Sequence, residues 1–125
     1  MIKLALIIGT GGFLGSVARF FISRIAQTNI LSAFPLGTFI VNIAGCLLIG
    51  IFYGLSEKGN IMSSEWRMFL TVGFCGGFTT FSTFANENIM LLRDKEFFYF
   101  LMYTGGSVFI GLIATYFGNM ITKII

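Results

Sequence analysis

Charge is confined to a few points of this chain, and the gaps between those points constrain its fold more than any other feature. Eight Lys and Arg and five Asp and Glu are all the charge in 125 residues. Between Arg24 and Glu57 lie 32 consecutive uncharged residues, between Arg67 and Glu87 lie 19, and between Glu96 and Lys123 lie 26. Residues 4–18 add a run of 15 that becomes a full span only if Arg19 is admitted. A helix needs roughly 20 mostly apolar residues to cross the hydrocarbon core of a bilayer. The spacing therefore predicts four transmembrane helices, at about 4–24, 36–55, 68–91 and 97–121, in one transmembrane domain covering residues 1–125.

Composition closes the alternatives. The chain is 56% hydrophobic and 10% charged, against about 25% charged in soluble domains, so it cannot build a solvated shell. Each apolar run far exceeds a strand and lacks the alternation of a barrel. The connectors 29–35, 56–64 and 93–96 leave no room for a soluble domain, and the first apolar run lacks the small-residue cleavage site of a signal peptide. With no His and two Cys, most zinc and His-based catalytic sites are excluded. A net charge of +3 is too thin and scattered for a nucleic-acid surface. An all-α membrane bundle that is not an enzyme follows.

Lys and Arg near span ends set orientation, with their excess on the cytoplasmic side. One side here carries Lys3, Lys58, Arg67 and Lys123, the other Arg24, Arg93 and Lys95, which is no clear bias. Either copies insert both ways and pair antiparallel, or a weak bias is decided by folding or a partner. Four short helices also enclose too little volume for a private solute pathway, so the chain oligomerises or does not transport. Gly11/Gly15, Gly50/Gly54 and Gly73/Gly77 have the spacing that lets helix backbones approach closely, between chains or within one.

Polar groups are costly in a bilayer core and usually face a partner or a wet cavity. Arg19, late in helix 1, either snorkels to the interface or serves a function. Asn42 in helix 2 could donate to an anion or bond a neighbouring helix. Helix 3 is the richest segment: Gly73-Phe-Cys-Gly-Gly-Phe-Thr-Thr-Phe-Ser-Thr-Phe84. Glycine adopts non-helical angles cheaply, which predicts a break at Gly76 and Gly77. Freed carbonyls there could coordinate a small cation, while the restarted helix favours an anion. Thr79, Thr80, Ser82 and Thr83 supply neutral hydroxyls, which as a cluster suggest a site rather than back-bonding to their own helix. Phe81 and Phe84 share a helical face, and their positive ring edges suit a small anion. Glu87 extends the polar stripe; it would repel an anion unless protonated or paired, and a structural partner on a neighbouring helix is an equal alternative. Cys46 and Cys75 read as apolar packing residues.

These segments resemble the small fluoride channels of the Fluc (CrcB) family. The matching pieces are Gly11-Gly-Phe-Leu-Gly-Ser-Val-Ala-Arg19, Pro35-Leu-Gly-Thr-Phe-Ile-Val-Asn42 and the helix 3 signature followed by Glu87. They stand in order across essentially the whole chain. The resemblance implies an antiparallel, dual-topology homodimer in the cell membrane, with two pores that export fluoride passively and so relieve its toxicity. It implies that Phe81 and Phe84 form an aromatic box, and that Asn42 is a pore-side donor. Thr80, Ser82, Thr83, Glu87 and Arg19 match the remaining polar positions. It further implies that the carbonyls of Gly76 and Thr79 in both copies hold a structural Na+. Two departures stand out: Ala85 replaces a frequent Ser, and helix 4 matches poorly, with Tyr103 and Ser107 as its candidates beside an unusual Gly105-Gly106 pair.

A small dual-topology multidrug exporter is the competing transporter of this size, but it needs an acid in helix 1 for proton coupling, where this chain has Arg19. A subunit that conducts nothing and packs against a larger complex is a third reading.

Overall fold

The computed structural model describes residues 1–28, 32–59 and 61–125, and no strand occurs among them. Helix α1 spans Ile2–Thr28 and α2 spans Leu36–Ser56. The third hydrophobic segment is two helices, α3 (residues 64–78) and α4 (Phe81–Arg93). Helix α5 spans Phe97–Ile124. Counting α3 and α4 as one segment, Ser64–Arg93, four segments are long and apolar enough to cross a membrane. Each runs one to four residues beyond its expected limits at most ends. Of the 29–35 connector, residues 29–31 lie outside the described residues, as does Asn60 of the 56–64 connector.

The segments pair as α1 with α3 and α2 with α5. Glycine makes both contacts close. A methyl group on Gly11 or Gly15 would run into the backbone of Phe69 or Phe74, and one on Gly73 or Gly77 into the backbone of Ile8 or Gly12. On the other pair, Gly50 abuts Thr115, Gly54 abuts Thr122 and Gly118 abuts the Leu47 carbonyl. The small-residue pairs of the sequence are thus spent inside the chain.

Helix α3 is π-helical over Phe69–Cys75. The wider hydrogen-bond spacing of a π turn keeps positions 69, 74 and 78, four to five residues apart, on the side facing Gly11 and Gly15. A 3.6-residue period would rotate them progressively away. The seven-residue stretch thereby holds α3 flat against α1 as far as the point where it stops.

The candidate functional site

Helix α3 stops after Phe78 because two threonines leave helical geometry. Thr79 has φ −89° and ψ 159°, and Thr80 has φ −150° and ψ 121°. Extended backbone suits β-branched side chains. This corrects the expectation that Gly76 and Gly77 form the break: Gly76 is helical at φ −61° and ψ −37°, and Gly77 lies within the turn Gly76–Phe78. Gly77 is needed for proximity rather than flexibility, since a methyl group there would meet the Gly12 carbonyl and Ser16.

An interrupted helix strands backbone donors and acceptors that the bilayer cannot satisfy, and three side chains answer for them. The Thr80 hydroxyl accepts from the Thr83 N–H at 3.3 Å, capping α4. Asn42 clamps Thr80 with both ends of its amide: Oδ1 accepts from the Thr80 N–H at 2.9 Å, and Nδ2 donates to the Thr80 carbonyl at 3.1 Å. Half-buried Arg19 donates from Nε to the Gly77 carbonyl at 3.0 Å. Its guanidinium is thereby tied to the last turn of α3, next to the break.

An open groove of about 400 Å³ runs beside the break. It collects Asn42 from α2, Gly76 from α3, Thr79 and Thr80 from the break, Phe81 and Phe84 from α4, and Ser107 from α5. Cys46 and Cys75 also face it, both as free thiols. The Ser107 hydroxyl is buried without a hydrogen-bond partner, a costly state that a polar occupant of the groove would relieve. The N-terminus of α4 opens here, adding the partial positive charge of its free N–H groups. Phe81 is 79% exposed at the lip, with its ring 5.8 Å from that of Phe84.

Beyond Phe84 lies Glu87. The Phe84 ring is 4.9 Å from Tyr103, whose hydroxyl donates to Glu87 Oε1 at 2.9 Å. The Thr38 hydroxyl donates to Oε2 at 3.1 Å. Tyr103 is fully buried and Thr38 nearly so. Of the alternatives open for Glu87, partners on neighbouring helices are what the structure supplies. Ser82 is exposed beside Thr80, their hydroxyls 3.5 Å apart, and Thr83 is half-buried. Arg19, Ser82, Thr83, Glu87 and Tyr103 do not line the groove itself. Thr38 was missed from sequence, although it stands one helical turn before Asn42 and so shares its face.

Among the described residues no group of three or more His, Cys, Asp or Glu could hold a metal. A hard cation would need neutral oxygens, and the break offers them. In a continuous helix the Thr80 N–H would bond the Gly76 carbonyl, but Asn42 takes that donor, and the extended Thr79 turns its carbonyl off the helical path. The donor chemistry of Gly76 and Thr79 thus fits an alkali cation.

Four apolar segments, a third one broken at mid-span, and a groove of neutral donors define a small multi-pass helical protein of the cell membrane. Residues 6–119 match the family model described as CrcB-like protein, Camphor Resistance (CrcB), and the chain belongs to that family. It is 47% identical to a fluoride-specific ion channel of Flavobacterium psychrophilum over 93% of this chain and 94% of the relative. It is 45% identical to one of Chlorobium phaeobacteroides over 95% and 92%, and 50% identical to one of Bacteroides fragilis over 87% of each. Such relatives are channels and not enzymes.

Proposed function

We propose that this chain is a fluoride channel that lets the ion leave the cytoplasm passively. Acidified surroundings deliver fluoride as neutral HF, which crosses the bilayer, dissociates inside and must exit as the anion. The relatives named above support the reading, and one local observation carries it. At the helix break Asn42, Thr80 and the unpartnered Ser107 hydroxyl share a groove with the rings of Phe81 and Phe84. Fluoride holds its water tightly, so a pore must replace that water with close donors while remaining weak enough to release the ion. Neutral amide, hydroxyl and ring-edge donors meet both demands. Thr83, Ser82 and the Tyr103–Glu87–Thr38 cluster continue the polar route, and Arg19 fixes the break from behind.

The working unit in this proposal is two copies of residues 1–125, each a single transmembrane domain, inserted in opposite directions. Ser82 and Asn86, one helical turn apart on α4, are both exposed inside a spanning segment, as is Phe81. Polar side chains in that position call for a protein neighbour, and a second copy would cover them and complete the pore walls. The near-even charge count at the two membrane faces supports opposite insertion. Gly76 and Thr79 of both copies would hold a structural Na+, whose charge ties the two breaks together.

The deciding experiment is fluoride efflux from liposomes that contain only this protein, with chloride and a cationic drug as controls. Fluoride efflux that leaves chloride behind is expected. No flux would favour a non-conducting subunit, and proton-coupled drug transport would favour an exporter, a reading that Arg19 in α1 already opposes.

A further inference from the structure

A ring that just precedes α2 packs against the tyrosine of the Glu87 cluster. Phe34 is half-buried there and stands edge-on to three aromatic neighbours: Tyr103 at 5.5 Å, Phe39 at 5.6 Å and Tyr99 at 5.9 Å. Such edge-to-face pairs carry stabilisation beyond their buried area. Tyr103, the innermost, is the donor to Glu87.

Phe34 is pinned by its backbone as well as by the rings. Gln27 reaches from the end of α1, donating from Nε2 to the Phe34 carbonyl at 3.3 Å. Its Oε1 accepts from the Gly37 N–H at 3.0 Å, one of the donors that the start of a helix leaves unpaired. Pro35 between them is buried and has a restricted φ. One amide side chain thus ties both Phe34 and the first turn of α2, in which Thr38 stands.

The rings form one row. Phe81 to Phe84 is 5.8 Å, Phe84 to Tyr103 is 4.9 Å and Tyr103 to Phe34 is 5.5 Å. It runs from the groove, past Glu87, to a loop at the end of the spans. Glu87 lies six residues before the end of α4 at Arg93, about 9 Å along the helix. An apolar constriction holds back a hydrated ion by dewetting.

We propose that Phe34, seated by Gln27, is the ring that shuts the Thr38–Glu87–Tyr103 cluster off from water, and that an anion using this end of the pathway must pass it. The second half rests on the channel reading above; the first does not.

Two measurements separate them. In a Thr38→Cys variant, modification by a charged methanethiosulfonate reagent is followed at position 38 by mass spectrometry, leaving Cys46 and Cys75 in place. Adding Phe34→Ala, or Gln27→Ala to free the loop, raises the modification rate by about tenfold or more, as expected when a local cover is removed. An unchanged rate with Phe34→Ala overturns the cover. Phe34→Leu replaces it should the smaller residue fail to fold. In liposomes at equal protein content, Phe34→Ala speeds fluoride efflux and Phe34→Trp slows it. Faster labelling without faster efflux overturns the claim that the ion passes this ring. Absence of wild-type flux would defeat the channel reading, while the labelling still decides whether Phe34 is the cover.

Discussion

Asn42 is the residue on which the site's geometry turns, since its one amide satisfies both polar groups of Thr80. Asn42→Ala would strip the part-buried Thr80 N–H of its acceptor, at about 1–3 kcal/mol. A lowered melting temperature in detergent together with lost fluoride efflux is expected. Asn42→Asp keeps the acceptor for the Thr80 N–H but removes the donor and adds negative charge to an anion path. Efflux should be suppressed, and a fully active variant would make Asn42 purely structural. Phe81→Ile and Phe84→Ile remove ring edges while keeping apolar bulk. Each should slow efflux with the assembly intact by size-exclusion chromatography, and unchanged rates in both would take the rings out of the mechanism.

At the scale of elements, the packing of α1 on α3 places the break. Gly77→Ala would push a methyl group into the Gly12 carbonyl, and such overpacking typically costs about 1–3 kcal/mol. It would also disturb the carbonyl that Arg19 holds. Gly105→Ala is the matched control, since nothing lies within 4 Å of its methyl group; it should be neutral or stabilising by up to about 1 kcal/mol. Thermal melts of the two variants in micelles test the contrast. The turn between α4 and α5 is a second local case. The Glu96 N–H reaches the Leu91 carbonyl at 2.8 Å and the Lys95 N–H reaches that of Leu92 at 3.1 Å, a Schellman closure with Lys95 at φ 61°, where glycine is usual. Lys95→Gly should raise stability by several tenths of a kcal/mol to about 1 kcal/mol. The measurement belongs in micelles, where orientation has no effect, because the change also removes a positive charge.

At the scale of the whole molecule, the proposed antiparallel pair makes a prediction of its own. Four basic residues on one face against three on the other set a balance that a few added charges would tip. Lys residues introduced into the connectors of one face should drive all copies into one orientation and abolish efflux. Reporter fusions at the C-terminus give the orientation, and liposome flux gives the function. Activity in a single-orientation protein would refute antiparallel pairing. All three glycine pairs are consumed between helices of the same chain, so in the proposed pair the contact falls to the exposed α4 face with Phe81, Ser82 and Asn86.

How much could be read beforehand follows from the range of each interaction. The spans were legible because a bilayer sorts residues by a one-dimensional rule: a long enough run without charge must be a helix through it. The cluster of hydroxyls around Phe81 and Phe84 was legible for the same reason, as polarity where lipid forbids it. The position of the break was not. Glycine's conformational freedom points to Gly76 and Gly77, but Gly77 packs against α1 within a turn that stays helical, and extended backbone falls instead to Thr79 and Thr80. Nor could sequence pair Asn42 with Thr80, 38 positions away, Thr38 with Glu87, 49 away, or Arg19 with Gly77, 58 away. Hydrogen bonds act over about 3 Å, so only the packing of one helix against another decides which distant groups come within reach.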